Sequence, residues 1–330
     1  MPETPPLLSR VADSVYWMAR YIERAENVAR YIGVNLNLQL DLPMEPNQQW
    51  QPLIDTSGDT AEFKKRFGEA TQANVIEFLT YDAANTNSIA SCLRAARENA
   101  RSVREAISSE MWTQVNSMYL EMQVQRRMPD PRQLHEILRS IRLGCHLFQG
   151  ITDATMSHGE AWHFARLGRK LERADKTSRI LDVKYFILLP STRVVGTPYD
   201  DIHWSAVLKS VSGFSMYRKK HGRIVPSEIV DFLLMDREFP RSIRFCVHSA
   251  DESLHAITGS PIGSYAHASE QVMGLLRAEL DFTPVERILA GGLHEYLDSL
   301  QEKMNKVDSC ILNDFATPLP QSQVAGAHAD

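Results

Sequence analysis

The stretch LSRVADSVYWMARYIERAENVARYIGVNLNLQL, residues 8–40, predicts one long α-helix and with it the class of the fold. Its apolar side chains recur at steps of three and four residues, which is the period of a helix with one buried face. The stripe consists of Val11, Val15, Met18, Ile22, Ala25 and Ala29. Ser9 is a suitable N-cap residue, while Pro43 and Pro46 break the pattern and predict a loop after the helix.

The helical period continues through the rest of the chain, and the two-residue alternation typical of strands is nearly absent. A second long helix is predicted over about 153–188, ended by Pro190 and followed by a loop. Shorter helices are predicted near 60–67, 72–82, 86–107, 109–127, 132–150, 202–213, 227–236, 239–257, 263–281 and 284–313. We therefore expect an all-α protein. Residues 313–330 contain too few apolar side chains to pack, so they are expected to form a disordered tail.

Composition limits the classes of function. The chain has 330 residues, of which 43% are hydrophobic, and its formal net charge is −5, which disfavours binding to nucleic acid. The four cysteines stand singly, which indicates reduced thiols rather than disulfides or a zinc site. The first residues do not resemble a signal peptide and no stretch is long and apolar enough for a membrane span, so a cytoplasmic location is expected.

Two parts of the chain repeat each other. The pattern R-x-x-E-R-A-[ED]-x-x-x-R occupies residues 20–30 and again 169–179, an offset of 149 (172 − 23 = 149). Residues 75–98 match 229–252 at an offset of 154 (236 − 82 = 154), and Trp50 matches Trp204 at the same offset. A longer loop after Pro190 would account for the difference of five. The alternative is chance similarity between amphipathic helices.

The repeat predicts the architecture. Two diverged tandem copies of one multi-helix unit, about 8–127 and 157–281, are expected to bury their apolar stripes against each other around a pseudo-twofold axis. The result would be a single helical domain over residues 7–312 rather than two separate units.

The first candidate site is the polar face of the two long helices. At about 100° per residue, this face carries alternating arginine and glutamate with aromatic neighbours. Its members are Asp13, Tyr16, Trp17, Arg20, Glu23, Arg24, Asn27 and Tyr31 on the first helix, and Trp162, Arg166, Arg169, Glu172, Arg173 and Lys176 on the second. One interpretation is ion pairing within each helix. The other is a partly buried Arg/Glu cluster where the two faces meet, suited to a carboxylate or phosphate ligand.

The second and third candidates are less specific. Asp236, Pro240 and Ser242 predict a helix–helix corner, at which Arg237 and Arg241 could be gathered onto one anion. Arg97 and Glu98 begin a charged stretch that continues to Trp112, which is read either as a charged helix beside a buried tryptophan or as part of an arginine-lined groove.

Other signals argue against familiar chemistry. His158 and His163 flank Glu160, but their spacing of five residues differs from the i, i+4 pair of H-E-x-x-H, so no metal site is expected. The chain has no GxGxxG, no P-loop and no GxSxG motif, and no cofactor is expected. Cys92 and Cys246 occupy equivalent apolar positions and are expected to be core residues.

Residues 8–27 strongly resemble the opening of the bacterial alpha-E domain, an all-helical family with a Glu-Arg motif. Residues 78–89, 96–101, 171–174 and 232–242 are also similar to that family, and the resemblance covers about residues 7–312. It implies an all-helical protein whose relatives are encoded beside, or fused to, circularly permuted ATP-grasp proteins and transglutaminase-like proteins. The corner of the first copy, at residues 82–88, corresponds to the one that begins at Asp236. It departs from the family's pattern, because Asp82 is followed by neither an acidic residue nor a proline.

The resemblance carries over Trp17, Arg20, Glu23, Arg24, Glu26, Arg30, Arg97, Glu98, Asp236, Pro240 and Ser242, with no catalytic role attached to any of them. Together with the residue patterns, the expected ligand- or partner-binding residues are Trp17, Arg20, Glu23, Arg24, Arg30, Arg97, Glu98, Arg169, Glu172, Arg173, Asp236, Arg237, Arg241 and Ser242.

Three functions follow as hypotheses. The first is a non-catalytic accessory protein of an ATP-grasp peptide-ligase-type system, which presents its Arg/Glu stripes to a partner or to a carboxylate-bearing peptide. The second is an enzyme acting on amide or carboxylate groups. The third is a helical scaffold in which the ion network only fixes packing. Stripes that converge under an open pocket would favour binding, whereas stripes that are buried and mutually paired would favour the scaffold.

Overall fold

The computed structural model describes residue 7 and residues 9–41, 46–124, 130–188 and 198–316. Over these residues the chain is helical and contains no named strand, which confirms the all-α prediction. The helices are α1 (Ser9–Asp41), α2 (Pro46–Ser57), α3 (Thr60–Phe67), α4 (Gln72–Ile76), α5 (Ile89–Ser102), α6 (Ser109–Val124), α7 (Pro131–Thr155), α8 (Glu160–Leu188), α9 (Pro198–Ser210), α10 (Phe214–His221), α11 (Pro226–Met235), α12 (Ile243–Thr258), α13 (Ala268–Phe282), α14 (Val285–Gly291) and α15 (Leu293–Ile311). Two π-helical turns, Glu77–Tyr81 and Leu312–Ala316, follow α4 and α15.

The two long helices, α1 and α8, pack against each other at the centre. α5 and α7 cover α1, and α12 covers α8. The close approach depends on Gly168 of α8, because a Cβ atom placed there would lie 2.5 Å from the carbonyl oxygen of Tyr16. All six residues of the predicted apolar stripe of α1 are buried, and they belong to one hydrophobic cluster that extends from Val11 to Ile311.

The loop predicted after Pro43 is wrong, because α2 begins at Pro46. A proline is tolerated in the first turn of a helix, where its missing N–H would have no partner. Trp50 and Ile54, one turn apart in α2, are fully buried, so packing of this apolar face stabilises a helix that the prolines obscured. The short helix α10 was also not predicted.

Two helix boundaries differ from the prediction. The single helix expected over 284–313 is divided into α14 and α15 at Gly292, whose φ of +103° cannot belong to an α-helix. The second long helix begins at Glu160 rather than near 153, because α7 continues to Thr155 and a bend over 156–159 separates them.

The disordered tail was expected to begin at residue 313, which is too early. Residues 312–316 form a helical turn, and the ring of Phe315 meets that of Phe164 edge-on at 5.5 Å. The remainder of that tail, 317–330, lies outside the described residues, as does the loop at 189–197 that was expected to lengthen the second copy. No helix in the described ranges combines the length and the apolar character that crossing a membrane requires.

Candidate functional site

The polar faces of α1 and α8 meet and exchange ion pairs. Glu23 of α1 accepts from Nε and Nη2 of Arg173, both at 2.8 Å, and Glu172 of α8 accepts from Nε of Arg24 at 2.7 Å and from its Nη2 at 2.9 Å. Both glutamates are fully buried. The shortest pairs therefore cross between the helices. Contacts within each helix accompany them, since Asn27 donates to Glu23 at 3.3 Å and Nζ of Lys176 lies 3.7 Å from Glu172.

Each central carboxylate has further donors. Arg241, two residues before α12, donates to Glu23 at 3.0 Å, and Gln149 of α7 donates at 2.9 Å. Arg20 donates to Glu172 through Nε at 3.0 Å. Guanidinium groups held in this fork geometry form the strongest class of protein hydrogen bond. We call the group Arg20, Glu23, Arg24, Glu26, Arg30, Glu172, Arg173 and Arg241 the Arg/Glu cluster.

The cluster extends along α1 to Glu26 and Arg30. Arg241 reaches Glu26 through Nη2 at 2.9 Å, and Arg30 forms an ion pair with the other oxygen of the same carboxylate. His146 Nε2 lies 3.2 Å from that oxygen. Burial, together with the positive charge of Arg241, lowers the pKa of Arg30 to about 9, and burial beside Arg30 lowers the pKa of His146 to about 4. The imidazole is therefore neutral at pH 7.

The electrostatics keep both central glutamates ionised. Burial alone would raise the pKa of Glu23, but the charges of Arg173 and Arg241 outweigh it, and the pKa lies well below its usual range. Burial alone would also raise the pKa of Glu172. The charges of Arg24, Lys176 and Arg20 outweigh it, so the pKa of Glu172 lies well below its usual range. In turn the glutamates raise the pKa values of Arg24 and Arg173 in spite of burial. These groups therefore carry fixed charges across the neutral range.

Trp17 and Arg20 lie at the edge of the cluster. The guanidinium of Arg20 lies 4.8 Å from the ring centroid of the half-buried Trp17 and also pairs with Asp308 of α15. Tyr16 donates a hydrogen bond to the same Asp308. The last long helix thereby contributes to the cluster, a contact with no signal in the sequence.

Arg169 occupies the position in α8 that matches Arg20, but it is poorly paired. Its nearest carboxylate is Asp153, at 3.7 Å, and its buried Nε has no hydrogen-bond partner in the described part of the chain. Burial and the neighbouring Arg173 lower the pKa of Arg169. The two copies of the motif are thus not equivalent in their pairing.

The predicted corner is a capping structure. Asp236 accepts from the backbone N–H groups of Glu238 at 2.8 Å and Phe239 at 2.6 Å, and Ser242 caps α12 by accepting from the N–H of Phe245. Arg237 and Arg241 were expected to meet on one anion, and they do not. Arg241 is buried in the Arg/Glu cluster, whereas Arg237 is exposed and lines a cavity beside α12.

Arg97 and Glu98 lie apart from the Arg/Glu cluster. Arg97 donates to Asn116 of α6 at 2.8 Å and to Glu98 at 2.8 Å, and it lies 4.8 Å from the ring centroid of Tyr119. Trp112, expected to be buried, is half-buried. These residues connect α5 with α6 and do not join the Arg/Glu cluster.

A small cavity lies beside the Arg/Glu cluster. The cavity, lined by Gln149 and Arg169 among others, has a volume of about 10 Å³. A single water needs roughly 10–15 Å³ on this measure, so no organic ligand fits there. Among the described residues, no group of three or more His, Cys, Asp or Glu side chains could hold a metal ion.

Comparison with known proteins agrees with the helical architecture. The family model Alpha-E, described as a predicted alpha-helical domain with a conserved ER motif, matches residues 7–315. Uncharacterized proteins of Mycobacterium bovis and of two Mycobacterium tuberculosis strains are each 22% identical over 338 residues, which cover 96% of this chain and 37% of the relative. No solved structure matches. The chain thus spans little more than a third of the length of these curated relatives, and it belongs to the Alpha-E family.

Proposed function

We propose that this protein is a non-catalytic helical accessory protein built from two diverged copies of one unit, and that the Arg/Glu cluster is the clamp between them. The observation that supports the clamp most directly is the exchange of buried pairs, in which Arg24 binds Glu172 while Arg173 binds Glu23. Both members of each copy's Glu-Arg dipeptide are used by the other copy. A group engaged in this way contributes to cohesion rather than to ligand binding.

The order of the helices supports the repeat. α1, α5 and α6 are followed by α8, α12 and α13 with similar lengths and in the same sequence. The caps also correspond, since Ser88 and Ser242 each donate to the carbonyl of an aspartate six residues before and each accept from an N–H three residues after. Two related units would explain both correspondences.

The enzyme hypothesis gains no support from the cluster. A general acid–base works best when its pKa lies near the operating pH, and Arg173 and Arg24 hold the pKa values of Glu23 and Glu172 far below neutrality. The scaffold hypothesis is the second candidate, because full mutual pairing is what a purely structural network requires. The accessory function differs from it in one respect, which is that it needs a partner.

The partner we propose is a circularly permuted ATP-grasp protein, with a transglutaminase-like protein as the second choice, on the basis of the family resemblance. The length of the mycobacterial relatives is compatible with this, because about 63% of each lies outside the matched region (100 − 37 = 63). A cytoplasmic location is part of the proposal, supported by four free cysteines that are all buried.

Co-purification with the ATP-grasp protein encoded beside this chain tests the proposal, using the wild type, Arg20→Ala and Arg169→Ala, with a thermal melt of each. We expect Arg20→Ala to melt earlier but to retain the complex below its melting temperature, and Arg169→Ala to retain both properties. Loss of the complex by a variant with an unchanged melt would show that the substituted arginine belongs to a partner-binding surface and not to the clamp. The absence of a complex with the wild type would overturn the proposed partner.

A further inference from the structure

A second polar site lies outside the Arg/Glu cluster, between α12 and the last turn of α13. It is a cavity of about 530 Å³, within the usual range for small-molecule sites. Basic and aromatic side chains dominate its lining, namely Arg237, Arg244, His248, Phe245 and Phe282. Phe282 is 85% exposed, so a large apolar surface stands open to solvent at this cavity.

The two carboxylates of the lining are already paired. Asp281 accepts from Arg244 at 2.6 Å and lies 2.8 Å from Nε2 of His248, while Glu252 pairs with Arg166 of α8 at 2.7 Å. Arg237 has no ion pair within the described ranges. The cavity therefore contains a guanidinium that is available to an incoming anion and carboxylates that are already neutralised.

A further cation, Lys170, lies against the ring of Phe245. Nζ of Lys170 is 4.4 Å from the ring centroid of Phe245, and the side chain is buried without a carboxylate within ion-pair distance in the part of the chain described. Burial, and then the neighbouring arginines, lower the pKa of Lys170 to about 8. The positive charge near this cavity is thus greater than its lining alone supplies.

The corresponding place in the first half of the chain provides a natural comparison. A cavity of about 330 Å³ lies there between α5 and the last residues of α6. Its lining includes Ala83, Ala90, Ser91 and Arg94, which stand 154 residues before Arg237, Arg244, Phe245 and His248. Imperfect packing at this junction explains why a cavity occurs in both halves. It does not explain why the second cavity is lined with two arginines, a histidine and two phenylalanines, whereas the first has one arginine and the ring of Tyr81.

We propose that the α12–α13 cavity binds a carboxylate carried on an apolar group, such as the C-terminal residue of a peptide or an N-acylated amino acid. Arg237 meets the carboxylate, Arg244 is held in place by Asp281 to support it, and Phe245 and Phe282 cover the apolar part. The inference rests on the proposed function only in that the ligand is bound and not chemically changed.

An NMR titration of the full chain, without any partner protein, tests this inference with N-acetylphenylalanine as the probe. We expect saturable binding with a dissociation constant of roughly a millimolar, the affinity that a ligand of this size reaches. The uncharged N-acetylphenylalaninamide is expected to bind roughly tenfold more weakly, because it cannot form the charge-assisted hydrogen bond.

Arg237→Ala is expected to weaken binding of N-acetylphenylalanine roughly tenfold. Its melting temperature is expected to be unchanged, because Arg237 is exposed and has no ion pair among the described residues. Arg94→Ala, in the first-half cavity, is the matched control and is expected to leave binding unchanged. Equal binding of acid and amide, equal loss in both variants, or no saturable binding would overturn the inference. Binding of inorganic phosphate but not of the probe would also overturn it. Because the isolated chain is used, failure here is distinct from failure to find an ATP-grasp partner.

Discussion

Arg169 and Arg173 lie one turn apart on α8, and the structure predicts a large loss of stability on replacing Arg173 and almost none on replacing Arg169. Arg173→Met removes two hydrogen bonds of 2.8 Å to the fully buried Glu23. In the part of the chain that the structure describes, Glu23 then retains Arg241, Gln149 and Asn27 as donors. Within the described ranges, Arg169→Met removes a 3.7 Å contact with Asp153 and a buried Nε that lacks a hydrogen-bond partner.

The expected losses of stability follow from the ion pairs that each variant removes. Deleting one partner of a buried ion pair costs roughly 3–5 kcal/mol, and the donors left on Glu23 place Arg173→Met near the lower figure, about 3 kcal/mol. With an unfolding entropy of roughly 2.1 cal/mol/K per residue, this lowers the melting temperature by about 4 °C. Arg169→Met is expected to change it by less than about 1 °C, since desolvating an unpaired arginine offsets what the side chain contributes.

The assay is a thermal melt of both variants and the wild type, in one buffer and followed by circular dichroism. Methionine keeps the length and the helix propensity of the side chain, so the two variants differ chiefly in the ion pairs that they remove. Equal losses in the two variants, or a larger loss for Arg169→Met, would refute the assignment of the clamp to the paired residues.

Three further predictions concern packing and pH. Gly168→Ala is expected to lower the free energy of unfolding by about 1–2 kcal/mol, because its Cβ would clash with the Tyr16 carbonyl. A Cβ at Gly33 would meet no neighbouring residue within 4 Å, so Gly33→Ala is expected to raise the free energy of unfolding by up to about 1 kcal/mol. Urea unfolding measures both. Lys170→Met is expected to stabilise the protein at pH 7. The penalty for a charged buried amine is complete below its pKa of about 8 and is relieved as the pH rises toward 10.5, so the gain in urea midpoint should shrink over that range. Burial disfavours ionised Glu270, but hydrogen bonds lower its pKa to about 2. Its contribution to the free energy of unfolding is therefore complete above pH 4.5 and is lost as the pH falls toward 2. Glu270→Gln is expected to flatten that part of an acid-unfolding curve.

The sequence was sufficient for the central helices and for the side chains that face their contact. The three- and four-residue period of α1 depends only on local spacing, so it predicted the buried stripe that includes Val15 and Ile22. The same spacing placed Glu23 and Arg24 on the opposite face. It could not say which residue each would meet, because Glu23 and Arg173 are 150 residues apart and their pairing depends on how the two helices pack.

The remaining parts of the site depend on distant contacts. Gln149 and Asp308 contact the cluster from α7 and α15, and no sequence motif predicts either contact. The α12–α13 cavity was missed for the same reason. Arg244 and His248 are one turn apart on α12, but Asp281 and Phe282, which complete the cavity, come from the end of another helix.

The central claim is that crossed Arg–Glu pairs hold the two halves of the molecule together, and a double-mutant cycle between Arg24 and Glu172 tests it most directly. Arg24→Met, Glu172→Gln and the double variant are compared by urea unfolding, with the exposed pair Glu136 and Arg139 of α7 as the reference cycle. We expect a coupling free energy of at least about 2 kcal/mol for the buried pair and less than about 0.5 kcal/mol for the exposed one. A coupling between Arg24 and Glu172 no larger than that of the exposed pair would contradict the claim.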